Sequence, residues 1–140
     1  MRRAEGWEYR LGEYIEAHRH KPFEWGGNDC VTFANGAVVA QTSRGFCDDW
    51  CGEVSTSKEA VKFFRQRLAA GDYDGPLDMV DTRLKRGEGF PPRGSIVARE
   101  IDDGFTGYAL GVTLNNKAAF VDVGGLVFNP IISADIWWHV

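Results

Sequence analysis

A Trp25-Gly26-Gly27 turn segment runs directly into Asn28-Asp29-Cys30 and then into an almost wholly apolar stretch carrying Val31, Phe33, Ala34, Ala37 and Val38. This junction constrains the fold more than any other part of the chain. Asn28 is a good helix N-cap, so the pattern predicts a helix from about 28 to 41 with Cys30 in its first turn. A helix that is apolar on most faces has to be covered on most faces, which makes it the central, buried one. Backbone N–H groups and the positive dipole end at a helix start favour a thiolate. Cys30 therefore has two readings. It is a small buried residue packing a helix start, or it is a nucleophile that needs a base and a group orienting that base.

The rest of the chain orders itself around that helix. Trp7, Leu11, Ile15 and His18, at steps of three to four, predict a first helix over about 4–20, ended by Pro22. The stretch from Ser43 to Gly52 reads as a loop with aromatic anchors. Thr56 and Glu59 have capping-box spacing. They open a third helix with Val61, Phe64 and Leu68 as its core face and Gly71 at its end. Pro76 suits the first turn of a fourth helix with Leu77, Val80 and Leu84 inward. Beyond Pro91-Pro92 the period shortens. Strands are predicted at 95–98, 108–114, 118–123, 126–128 and 136–140, with turns at Asn115-Asn116 and Gly124-Gly125. Helices first and strands second define an α+β class: N-terminal helices packed on a C-terminal, mostly antiparallel sheet, in one domain over 1–140.

Composition removes several function classes. A length of 140 residues with 44% hydrophobic content supports one real core. A net charge of −4 with no dominant Lys/Arg block argues against a nucleic-acid partner. No apolar run is long enough to span a bilayer, and the opening residues carry no leader-type apolar region, so neither membrane insertion nor export is expected. Three cysteines, an odd number, fit a reducing compartment better than a disulfide framework. Cys47 and Cys51 flank Asp48-Asp49-Trp50, but no second Cys or His pair has zinc spacing. Loop packing is their expected use, with no metal and no cofactor.

Three later segments follow the Cys30 helix in a distinctive order: Arg93-Gly94-Ser95-Ile96-Val97, then Gly111-Val112-Thr113-Leu114, then a turn and another strand. From about Pro22 to Phe128 the chain resembles the NlpC-type cell-wall cysteine peptidases, a rearranged branch of the papain-like fold. Over its whole length it is similar to a small family of phage and prophage tail gene clusters. The shared features are the Trp25-Gly26-x-x-Asp29-Cys30 segment, the Ala109-Leu110-Gly111-Val112 strand and a tryptophan-containing end. The resemblance implies a nucleophile at Cys30, a histidine at the start of the second strand and a polar residue on the next. Here the second-strand position is Ala109 or its neighbour Tyr108, and the third is Val121 or Asp122. The turn tyrosine of the pattern is Phe23, and the aspartate after Arg-Gly is Ser95. The scaffold signature is retained while the catalytic pattern is largely missing.

His20, near the end of the first helix, and His139, beside the final residue, are the remaining candidates for a base. Trp25, Asp29 and Asp122 are the candidate binding residues. Asp29, next to Cys30, counts against a thiolate because a like charge raises its pKa. The resemblance implies a phage or prophage tail-tip protein acting in tail assembly or cell-envelope engagement. It would be made in the host cytoplasm and carried in the virion tail. Its partners would be other tail-tip proteins and, at the envelope, peptidoglycan, with Trp50 or Trp137 exposed at an interface. The alternative is an active cysteine peptidase or amidase that cleaves peptidoglycan stem peptides through Cys30. An acyl-transferring enzyme using the same thiol is a third reading.

Overall fold

The computed structural model describes residues 2–52, 54–102 and 107–140. Among these, four helices precede five strands: α1 (Trp7–His18), α2 (Cys30–Thr42), α3 (Ser57–Ala70), α4 (Pro76–Asp81), β1 (Ile96–Glu100), β2 (Tyr108–Thr113), β3 (Lys117–Asp122), β4 (Gly125–Pro130) and β5 (Ile136–Trp138). The strands form one antiparallel sheet in the order β4-β3-β2-β1-β5. The α+β architecture expected from the order of helical and strand patterns is the one observed.

The central position of α2 follows from its composition. Phe33 and Ala37 pack with Leu11 and Ile15 of α1 and with Val112 and Ala119 of the sheet. Ala34 and Val38 pack with Ile96, Ala98, Leu110, Trp138 and the loop residues Phe46 and Trp50. Burying a side chain the size of Phe33 contributes on the order of 2–3 kcal/mol. Small residues let the neighbours approach: a Cβ at Gly36 would overlap the Tyr14 hydroxyl, which donates to Phe33 O at 2.8 Å. The first helix is shorter than the expected 4–20 and spans the apolar stripe itself, Trp7–His18. Gly6, at φ 75, forms the left-handed residue before it, and Arg19 closes it.

The start of α2 differs from expectation by one residue. Asp29, not Asn28, is the N-cap. Asn28 is buried, and its Nδ2 donates to Lys21 O (3.0 Å) and Pro22 O (3.1 Å). Both residue types cap helices, but only the amide can also donate a hydrogen bond. The carbonyls of the preceding turn require a donor, which assigns Asn to 28 and leaves the cap to the carboxylate at 29.

Other placements also depart from the pattern. In α3 the inward stripe is Ala60, Phe64 and Leu68. Val61, one step round the helix, lies beside Lys58, Lys62 and Arg65 at the surface. At the end of α3, Gly71 keeps a negative φ and Asp72 takes the left-handed position at φ 55. The interface role expected for Trp50 and Trp137 is not available in this fold, because each is only 5% exposed. Trp50 packs edge-to-face on Phe64. Trp137 lies over Gly87, and its Nε1 donates to Gly89 O.

The sheet face away from α2 is closed by Val97, Ala118, Phe120 and Trp137, with Ile131 packed against them. Arg99 holds this side to the chain after β4. It pairs with Asp135 through two hydrogen bonds (2.6 and 2.9 Å), and its guanidinium lies 5.0 Å from the Phe120 ring centroid.

Arg93-Gly94 has a structural explanation. Gln41, fully buried on α2, donates to Ala37 O and Gly94 O and accepts from Arg3 Nε. Arg3 also donates to Arg93 O. Gly94 sits at φ +88, and a Cβ there would overlap Gln41 Oε1. Gly94→Ala combines left-handed strain with this clash and should cost about 2 kcal/mol or more. Gly89→Ala carries a similar positive φ in open space and should cost about 1 kcal/mol, the strain alone. Urea unfolding of the two variants measures the difference, and equal losses would contradict a packed Gln41–Gly94 contact.

Candidate functional site

The start of α2 opens into an apolar cavity of about 310 Å³. One wall is the turn before the helix, where Phe23 and Trp25 meet edge-to-face at 4.8 Å. A second is Trp50 with Phe63 and Phe64 of α3. The sheet contributes Tyr108, Ala109 and Val121, and the helix itself contributes Asp29, Cys30 and Val31. A concave, aromatic-lined space with a thiol at a helix start has the general form of a ligand site.

Cys30 is the first residue of α2 and is half-buried. Its position is fixed by its neighbours. Asp29 Oδ1 accepts from Thr32 N (2.8 Å), Oδ2 accepts from Gly26 N (3.0 Å), and the Thr32 hydroxyl accepts from Asp29 N (2.9 Å). Both carboxylate oxygens of Asp29 are therefore engaged by backbone N–H groups, so it serves as a cap and turn clamp while its edge borders the cavity. Gly26 makes this possible. It holds φ +74, and a Cβ there would overlap Val54 O.

Strand alternation decides which sheet residues face Cys30. Leu110 and Val112 point to the α2 side, where they join the clusters containing Ala34 and Phe33. Tyr108 shares that side and packs against the Ala34 cluster, whereas Ala109 packs with Val97, Phe120 and Trp137 on the far face. Ala109 borders the cavity rim, but Tyr108 is the residue that the strand directs toward the helix start. By the same alternation Val121 packs with Phe33 and Ala37 while Asp122 does not. The Asp122 carboxylate accepts from Val123 N (2.8 Å) in the β3–β4 turn, and its carbonyl accepts from Phe23 N. Trp25 and Asp29 thus border the cavity, and Asp122 is outside its described lining.

None of the three histidines is among the described lining residues. His18 lies against Tyr14 and Phe33, with ring centroids 4.1 and 5.9 Å away, and its Nδ1 is 2.8 Å from Tyr14 O. His20 is exposed in the turn after α1, with its backbone against Gly125. His139 packs on Trp137 and donates its backbone N–H to Lys85 O. Among the described residues no group of three or more His, Cys, Asp or Glu side chains could hold a metal ion. The acidic pair between Cys47 and Cys51 is committed elsewhere: Asp48 accepts from Asn35 Nδ2 (2.7 Å) and Asp49 from Arg83. Hydrogen bonding from Arg83 holds the Asp49 carboxyl below the usual carboxylate range.

The aromatic walls from α3 and the Asp48–Trp50 turn were not read as site residues from the sequence. Phe64 carries only a helix-face signal in the sequence and Phe63 none, and their meeting with Cys30 is a long-range event. Tyr108 was legible in principle, since Leu110 and Val112 set the inward phase of β2.

The fold and site together define an α+β protein with a thiol-bearing helix start over an apolar cavity. Residues 2–140 match the family model described as Domain of unknown function (DUF6950), and the chain belongs to that family. No curated protein and no solved structure matches it.

Strand phase gives a direct test. Tyr108→His should bring an imidazole to the cavity and raise the iodoacetamide reactivity of Cys30 at neutral pH about tenfold. Ala109→His, on the opposite phase, should leave it within about twofold of the parent. Peptide-resolved alkylation kinetics read both, and the reverse ranking would contradict the orientation described.

Proposed function

We propose that this chain is a non-hydrolysing member of the NlpC/papain-like scaffold, working in a phage or prophage tail tip in tail assembly or cell-envelope engagement. The observation that carries the reading is the lining opposite Cys30. Tyr108 and Val121 stand where the resemblance expects a histidine and a polar partner. A tyrosine and a valine in an apolar wall do not supply the base and orienting group that thiol catalysis uses. They make the cavity suited to holding an apolar group. The reading further implies synthesis in the host cytoplasm, residence in the virion tail, and contacts with other tail-tip proteins or with peptidoglycan.

One observation favours the second reading, an active amidase or peptidase on peptidoglycan stem peptides. Cys30 is the first residue of a capped helix, where backbone N–H groups could hold an oxyanion after attack on an amide carbonyl. The two readings separate by assay. The proposal expects purified protein to release no products from peptidoglycan fragments, the protein to be present in purified particles, and gene deletion to leave defective or non-infective tails. Hydrolysis abolished by Cys30→Ala would move the protein to the second reading. Absence from particles together with normal tails would refute the structural role.

A further inference from the structure

The loop that walls the cavity carries a second thiol pair. Cys47 is fully buried and Cys51 half-buried, on either side of the short turn Asp48–Trp50. Trp50 N and Cys51 N donate to Cys47 O and Asp48 O at 2.8 and 3.2 Å, which folds the turn back on itself. Cys51 Sγ lies 3.3 Å from the Cys47 carbonyl oxygen, to which it donates. Cys47 is pinned from the other side: its N–H donates to Asn35 Oδ1 at 2.9 Å, and its side chain packs in the core with Ala34, Val38 and Trp50. The Cys47 thiol is held above the ordinary thiol range, first by a hydrogen bond with the Cys51 side chain and then by burial. Cys47 is therefore held in the core, and the more exposed Cys51 has its sulfur against the Cys47 carbonyl. Gly52, immediately after Cys51, holds φ +104 in open space. A glycine there leaves the chain conformational freedom at the residue beside Cys51.

We propose that Cys47 and Cys51 are a redox modification site that closes to a reversible disulfide when the protein meets a peroxide. The Cys51 sulfur already lies 3.3 Å from the Cys47 carbonyl oxygen across one short turn, so reaching the S–S bond length of about 2.05 Å is a local rearrangement of that turn. The more accessible Cys51 reacts first, because oxidation follows exposure. Its thiolate attacks one peroxide oxygen. The O–O bond breaks, hydroxide leaves and a sulfenic acid remains. The Cys47 sulfur then attacks the Cys51 sulfur, the S–O bond breaks, and the departing hydroxide takes the Cys47 proton as water. Two thiols are oxidised by two electrons and one peroxide is reduced to two waters. Trp50 lies inside the closed loop and also walls the cavity beside Phe64, so the bridge changes the surroundings of that wall. The inference is independent of what the cavity binds.

The test uses the full-length reduced protein and hydrogen peroxide. Trypsin places Cys47, Trp50 and Cys51 in one peptide, residues 45–58, and Cys30 in another. The expected result is loss of two hydrogens from the 45–58 peptide, reversed by dithiothreitol, with the thiol titre in denaturant falling from three to one. Tryptophan fluorescence should shift on oxidation and return on reduction. In Cys51→Ser the shift should vanish and Cys47 should remain titratable after the same treatment. Stable addition of oxygen to the 45–58 peptide without hydrogen loss, or a cross-linked peptide containing Cys30, would overturn the assignment. The mass readout on the parent protein stands whether or not the variant folds.

Discussion

Asp29 closes the start of α2 with both carboxylate oxygens, one to Thr32 N and one back to Gly26 N, and the rest of the molecule is arranged around that clamp. It fixes where the helix begins, and so sets Cys30 as its first residue. It also holds the preceding turn, whose Phe23 and Trp25 form one wall of the cavity. The turn can lie this close only because Gly26 has no side chain and tolerates a positive φ. Asn28 completes the joint by donating to the two carbonyls that precede it. From this fixed start α2 runs through the core and presents one face to α1 and the central strands, and another to the edge strand and the Asp48–Trp50 loop.

The same helix organises the polar groups that a buried element has to satisfy. Asn35 accepts from Phe46 N and Cys47 N while donating to Asp48, so the loop after α2 is folded back onto it. Gln41 ties Arg3 to the residues that lead into β1. Two buried amides therefore bring both the Trp50 wall and the start of the sheet to their places. The aromatic cavity is a product of these clamps more than of any local propensity.

Much of this was legible in the sequence, and the misses have physical causes. The identity of α2, the strand order of patterns, the cap at Thr56 and the first-turn Pro76 are local properties, so periodicity and turn chemistry find them. The cap of α2 was misplaced by one residue because Asn and Asp cap equally well, and the donor requirement at 28 is visible only once Lys21 and Pro22 are in place. Phe64 and Leu68 are inward as expected, but the turn before them is buried through Ala60 and not Val61, and helix spacing allows either residue to continue that stripe. The residue facing Cys30 was read as Ala109 before Tyr108, although the phase set by Leu110 and Val112 favours Tyr108. The burial of Trp50 and Trp137 depends on partners distant in the chain, Phe64 for one and Gly87 with Gly89 for the other. No local pattern carries that information.

The account rests on Cys30 being placed as a nucleophile would be, yet facing a lining suited to holding a group and not to activating a thiol. The rate of its alkylation by iodoacetamide at neutral pH, followed on the Cys30 peptide in the native protein and compared with the same peptide unfolded, tests this most directly. The account predicts a native rate no more than about threefold above the unfolded one. A native rate about tenfold or more above it would contradict the central claim and mark Cys30 as an activated nucleophile.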